Sequence, residues 1–186
     1  SNWKGGNLDM GNAGNIRALV IGYGNVGRYA LEALKGEKDF SVVGIADPYW
    51  AESMREADGV PMVKSAQDAP DYDVALLCVP TRKVLETGLA VLKTGRRTAD
   101  IFDIHGEELL NVYRQFDAAA KANNTAALIA AGWDPGIDSV FRTLLSVMIP
   151  HGITYTNCGP GMSMGHSVAV KAVPGVRDAV SLTYPR

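Results

Sequence analysis

Short apolar runs alternate with stretches of helical spacing along most of this chain, and that alternation is its strongest constraint on fold. Residues 16–22 (IRALVIG), 41–47 (SVVGIAD), 73–80 (DVALLCVP), 97–103 (RTADIFD) and 126–131 (AALIAA) read as buried-type strands, with a weaker candidate around Met62. Between them, Val26, Ala30, Ala33 and Leu34 share one helical face. Leu85, Leu89 and Leu92 share a second, ending at Gly95 as a C-terminal cap, and Leu109, Tyr113, Phe116 and Ala120 share a third. A last helix is expected over 135–148. Strands and helices in strict alternation imply a parallel sheet with right-handed crossovers, a doubly wound α/β fold.

After Pro150 the texture changes. Residues 151–186 are rich in Gly, Pro and β-branched side chains and carry no crossover helix of the earlier kind. They read as the opening of a second domain, incomplete in this chain. Residues 1–14, rich in Gly and Asn, read as a flexible lead-in with Met10 a candidate native start, which leaves 15–150 as the sheet domain. Eighteen basic against twenty acidic residues give a net charge of −2, so neither a nucleic-acid nor a membrane surface is expected. No apolar run approaches the roughly 20 residues of a membrane span, and the first residues have no signal core. Cys78 and Cys158 form no spaced pair, which reads as two reduced thiols in a cytoplasmic protein.

The chemistry concentrates where strands end. Gly22-Tyr23-Gly24-Asn25-Val26-Gly27 follows a strand and opens a helix, the context a dinucleotide fingerprint requires. Gly22 permits the tight turn, Gly24 lets backbone approach a pyrophosphate, and Gly27 brings helix close to sheet. Asp47 ends the second strand. It can accept from both ribose hydroxyls of NAD and oppose the 2′-phosphate of NADP, or it can simply start a turn with Pro48.

In an open parallel sheet, ligands bind beyond the carboxyl ends of the strands. Pro80-Thr81-Arg82, Asp103-Ile104-His105 and Trp133-Asp134 should therefore ring one cleft with the fingerprint. Asp103 and Asp134 could hold an ammonium group or move a proton there. Each has a plainer reading: Asp103 as a loop residue, and Asp134-Pro135 as a helix N-cap followed by Pro at the first helical position. An exposed Trp133 just before that cap has no structural return. His105 and His166 lack metal-ligand spacing, and no metal site is expected.

Several motifs together resemble the meso-diaminopimelate dehydrogenase family: Gly22 to Gly27 with Asn25, CVPTRKV (78–84), DIHGE (103–107), AGWDPG with DS (131–139) and GPGMSMGHSVAVKAVPGVRDA (159–179). The resemblance is closest to the branch that tolerates a broader range of D-amino acids. It implies reversible, NAD(P)-dependent oxidative deamination of the D-centre of meso-2,6-diaminopimelate to L-2-amino-6-oxopimelate and ammonia. It also implies a homodimer in the full-length form, with residues 151–186 the incomplete beginning of an α+β domain for substrate binding and dimerisation. Carried over by motif, Asp103, Asp134 and Trp133 become the substrate-cleft residues. Met164, Gly165, Thr183 and Cys158 become substrate contacts from the second domain. Tyr23, Asn25, Val26, Pro80, Thr81, Arg82, Pro135 and Gly136 join Gly22, Gly24, Gly27 and Asp47 along the cofactor.

The chain departs from the family pattern in three places. Where relatives carry basic residues for NADP after the second strand, it has Ala46-Asp47-Pro48, which tilts the expectation toward NAD. Cys158 replaces a bulky aromatic of some relatives and implies a roomier pocket. The family's chain runs on past residue 186, into a part that supplies further carboxylate-binding groups. An isolated 186-residue chain is thus expected to bind nucleotide and turn over poorly. Two other readings stay open: a non-catalytic nucleotide-binding module, and a lysine-pathway imine reductase.

Overall fold

The computed structural model describes residues 15–153, 161–163, 167 and 170–183. The strands are β1 (Ile16–Ile21), β2 (Phe40–Ala46), β3 (Glu56–Ala57), β4 (Val60–Val63), β5 (Val74–Leu77), β6 (Arg97–Asp100) and β7 (Ala127–Leu128). The helices are α1 (Asn25–Gly36), α2 (Thr81–Leu92), α3 (Glu107–Ala122) and α4 (Ile137–Met148). The seven strands form one sheet in the order β3-β4-β2-β1-β5-β6-β7, parallel throughout except for the β3–β4 hairpin. The expected doubly wound sheet is therefore present, and the weak candidate at Met62 is the strand β4.

Alternating residues of β1 explain the layering. Leu19 and Ile21 point into a core built with Leu77, Val84, Val112 and Phe116, under α2 and α3. Val20 points into a second core with Tyr23, Leu31, Ile45 and Met62, under α1. Each fully buried Leu or Phe here contributes about 1.5–3 kcal/mol of hydrophobic stabilisation. The central strands end flush: Val63, Ala46, Ile21, Leu77 and Asp100 are register partners across five strands. The loops that leave this row at Gly22, Asp47, Cys78 and Ile101 start side by side.

Helix α1 sits one residue away from the rotation its sequence pattern predicts, whereas α3 keeps Leu109, Phe116 and Ala120 inward as predicted and differs at one position. In α1 the inward residues are Gly27 and Leu31, with Val26 exposed. A Cβ on Gly27 would lie 2.0 Å from the Gly22 carbonyl oxygen, so closest approach is made by Gly27, and that fixes the rotation. In α3, Val112, Phe116 and Ala120 are buried and Tyr113 is exposed. Phe116 lies over Gly88 of α2, where an added Cβ would come within 2.2 Å of the ring. Gly95 has a positive φ of 76° and donates its N–H to Leu92, the expected cap geometry.

Several expected strands are shorter than their apolar runs. β5 stops at Leu77, β6 at Asp100, and β7 is the pair Ala127–Leu128. β7 ends early because Ala130 adopts a left-handed φ of 52°, which breaks the extended backbone. Beyond Pro150, β8 (Gly161–Ser163) and β9 (Ser181–Thr183) pair antiparallel. Ser181 donates its N–H to the Ser167 hydroxyl, and Lys171 pairs with Asp178 at 2.7 Å.

Candidate nucleotide and substrate cleft

The glycine loop is shaped by contacts that exclude side chains at two positions and leave a third open. Gly22 has a φ of 95°, and a Cβ there would sit 2.6 Å from the Cys78 carbonyl oxygen. Gly24, by contrast, faces open space, with no heavy atom within 4 Å of the position a Cβ would take. It is also the N-cap of α1, with no side-chain cap and no acidic residue in the first turn. The free N–H groups and the positive end of the helix dipole thus face an unfilled space, the arrangement that receives a phosphate.

Asp47 ties this loop to the end of β2. One carboxylate oxygen accepts the Tyr23 N–H at 2.8 Å, and the other accepts those of Tyr49 (2.9 Å) and Trp50 (3.2 Å). The turn reading of Asp47 is therefore realised, with a carboxylate held beside the glycine loop. The Arg28 guanidinium stacks 5.2 Å over the Tyr23 ring and 5.1 Å over that of Trp50, at the same corner. On the other face of the sheet a crevice of about 480 Å³ runs from these strand ends to Tyr72, Thr94 and Arg96 before β5 and β6. It is lined by Ile21, Ala46 and Pro48, by Ser65 and Ala66 after β4, and by Thr87 of α2.

The remaining strand ends meet through side chains. Thr81, first residue of α2, donates its hydroxyl to the Asp103 carboxylate. His105, two residues on, lies 4.0 Å from the Asp134 carboxylate. The loops after β5, β6 and β7 therefore form one contact chain along the carboxyl edge. Trp133 is 51% exposed on the same edge. Pro80 is the N-cap of α2 and Arg82 lies exposed in its first turn. Burial pushes the Cys78 thiol up to about 11, which keeps it protonated.

The Asp134 corner differs from the expected cap. The Asp134–Pro135 peptide bond is cis, Pro135 stands before the helix, and Gly136 is the N-cap of α4. Backbone carbonyls already take the first helical N–H groups: Gly132 accepts from Ile137 and Trp133 from Asp138. The Asp134 carboxylate is left to accept from Arg142 at 2.6 Å and from the Ser139 hydroxyl at 3.4 Å. Arg142 also pairs with Asp138 at 2.9 Å. Sequence reading missed Arg142; its signal was the spacing of one helical turn from Asp138 and two from Asp134.

Among the predicted second-domain contacts, Cys158, Met164 and Gly165 lie outside the described residues. Thr183 ends β9, its backbone paired with Gly161. Among the described residues no group of three or more His, Cys, Asp or Glu could hold a metal ion, and no helix is long and apolar enough to cross a membrane.

A parallel sheet with an open, uncapped glycine loop and polar strand ends defines a dinucleotide-binding oxidoreductase domain. Residues 16–102 match the oxidoreductase family with an NAD-binding Rossmann fold, and residues 132–186 match the diaminopimelic acid dehydrogenase C-terminal domain. The chain is 47% identical over 171 residues to meso-diaminopimelate D-dehydrogenase of Bacteroides fragilis, covering 91% of this chain and 57% of that protein. Among solved structures, it is similar to the Corynebacterium glutamicum diaminopimelate dehydrogenase in complex with diaminopimelate. That match has 30% identity and a TM-score of 0.68, over 89% of this chain and 51% of that one. It also resembles an engineered D-amino acid dehydrogenase bound to NADP⁺, with 26% identity and a TM-score of 0.63 over 90% and 52% of the two chains. The chain belongs to the meso-diaminopimelate D-dehydrogenase family, and it spans just over half the length of the relatives it matches.

Proposed function

We propose that this chain is the cofactor half, with the opening of the substrate half, of an NAD(P)-dependent dehydrogenase. The reaction is oxidative deamination of the D-centre of meso-2,6-diaminopimelate to L-2-amino-6-oxopimelate and ammonia. The observation that carries this reading is the convergence of Thr81, Asp103, His105 and Asp134 on the edge where the uncapped glycine loop opens.

Gly22, Tyr23, Gly24, Asn25, Val26 and Gly27 would hold the pyrophosphate through backbone N–H groups, and the crevice beside Pro48 would take the adenine. Pro80, Thr81, Arg82, Pro135 and Gly136 would line the remainder of the cofactor's path. When bound, the nicotinamide supplies the hydride acceptor. Asp103 and Asp134 hold the substrate ammonium, and Trp133 gives the cleft a flat apolar wall that limits water. The ammonium must share Asp134 with Arg142, so Arg142 sets how much negative charge the substrate meets.

The Asp47 carboxylate stands beside the glycine loop, where the extra phosphate of NADP would meet it. NAD is therefore used at least as well as NADP. Cys158, Met164, Gly165 and Thr183 complete the substrate side from a second domain beginning near residue 151, and the small Cys158 leaves room for other D-amino acids. The full-length enzyme is a cytoplasmic homodimer on this reading.

The test is spectrophotometric, with meso-diaminopimelate and either NAD⁺ or NADP⁺ supplied to the purified chain and reduced nicotinamide followed by absorbance. Nucleotide binding with slow or no turnover is expected of this chain alone. Failure to bind either nucleotide would overturn the reading, and a KM for NADP⁺ far below that for NAD⁺ would overturn the role given to Asp47.

A further inference from the structure

Asp100 is the most deeply buried carboxylate among the described residues, with 1% of its surface exposed at the C-terminal end of β6. It is register partner to Leu77, so its side chain lies on the apolar α2–α3 face of the sheet. A carboxylate there is costly unless its hydrogen bonds repay the desolvation. Its Oδ1 accepts two backbone N–H groups, from Phe102 at 2.9 Å and from Ala130 at 3.0 Å. Its backbone oxygen accepts a third, from Ala131 at 2.7 Å. Its Oδ2 has no partner among the described residues.

The two side-chain bonds reach different loops. Phe102 stands one residue before Asp103, and Ala130 three residues before Trp133. Ala130 is moreover in the left-handed region, with φ 52°, a conformation that an alanine holds only where its surroundings over-determine it. Neither amide belongs to a strand or helix, so neither has a ladder partner of its own.

We propose that Asp100 is the positioning residue of the cleft: one buried carboxylate oxygen clamps the Asp103 loop and the Trp133–Asp134 loop at a fixed spacing. The inference rests on the functional reading above for what the spacing serves, and on the hydrogen bonds alone for the clamp. Asp100 itself touches no reacting group. Its partly satisfied carboxylate is retained where an apolar residue would pack at lower cost, because no apolar residue could hold two backbone N–H groups.

Amide hydrogen exchange followed by NMR on the whole chain tests this. In the unaltered protein the Phe102 and Ala130 amides should be protected like the ends of β5 and β6; free exchange at both would overturn the clamp. Asp100→Asn keeps one acceptor oxygen and should keep that protection. Asp100→Ala removes it, and exchange at residues 102 and 130–134 should rise by about ten-fold or more while β1 and β2 stay protected. Equal loosening in β1 and β2 would mean that Asp100 serves only global stability, and would overturn the proposal. Nucleotide titration of the same samples separates the two readings. A clamp intact in a chain that binds no nucleotide would sink the functional reading while leaving the clamp standing.

Discussion

Glycines that look alike in the fingerprint do different work. A Cβ on Gly27 would overlap the Gly22 carbonyl, whereas one on Gly24 would enter open space. Gly27→Ala should therefore cost about 1–3 kcal/mol of stability, the usual cost of overpacking. Gly24→Ala should change stability by no more than about 0.5 kcal/mol, yet weaken nucleotide binding at least about ten-fold, by intruding where a pyrophosphate approaches the backbone. Thermal melts and nucleotide titrations on both variants check the pair. A Gly24→Ala chain that binds normally would remove the phosphate role from this loop. Cys78 belongs to the same scale. Its thiol is mostly buried and held protonated, with a pKa of about 11, so at pH 8 it should resist alkylation in the folded chain and react on unfolding. Mass spectrometry of the peptide carrying Cys78 reads this directly.

At the scale of elements, what was legible in the sequence follows from how each signal arises. Strand existence, sheet type and the glycine loop depend on local apolar runs and turn chemistry, and these are written contiguously. Helix rotation is not, because it is decided by one close contact outside the helix. In α1 the approach of Gly27 to the Gly22 carbonyl turns Leu31 inward and leaves Val26 in solvent, while in α3 only Tyr113, exposed where Val112 is buried, departs from the predicted face. The Asp134 corner was misread for a similar reason. An Asp-Pro pair is a good local cap signal, and only the three-dimensional course of residues 132–136 reveals that main-chain carbonyls already serve those N–H groups. The clamp by Asp100 was likewise invisible, since it joins amides 28 residues apart through a carboxylate that sequence alone would place in a strand end. The Gly88–Phe116 contact carries its own prediction. Gly88→Ala should destabilise the chain by about 1–3 kcal/mol, and Phe116→Leu in the same chain should recover part of that loss. A double-mutant cycle by chemical denaturation measures the coupling, and strict additivity would show that the two residues do not touch.

For the whole molecule, the two edges of the sheet are specialised differently. The carboxyl edge holds the open glycine loop and the cleft. The amino edge is closed by an ion network in which Arg17 bonds Asp73 and Asp71, and Arg96 bonds Asp71 and the Tyr72 carbonyl. Hydrogen bonds from the Arg17 side chain and backbone hold the Asp73 carboxyl down at about 2, and those from Arg96 and Arg17 lower Asp71 as well. Because both carboxyls ionise more readily folded than unfolded, their contribution is complete above the ordinary carboxylate range. It is lost as pH falls from about 4 toward 2. Asp100 acts with the opposite sign. Burial raises its pKa, so its charge weighs against folding at neutral pH and acid relieves that weight. Acid therefore weakens the amino-edge network, and the Lys171–Asp178 pair with it, while it relieves the buried Asp100. Asp73→Asn should flatten the fall in melting temperature between about pH 4 and pH 2 while leaving nucleotide affinity at neutral pH unchanged, since Asp73 lies at the far edge from the glycine loop. Melting curves by circular dichroism across that range decide it. A variant that loses stability in parallel with the unaltered chain would place the acid response elsewhere in the fold.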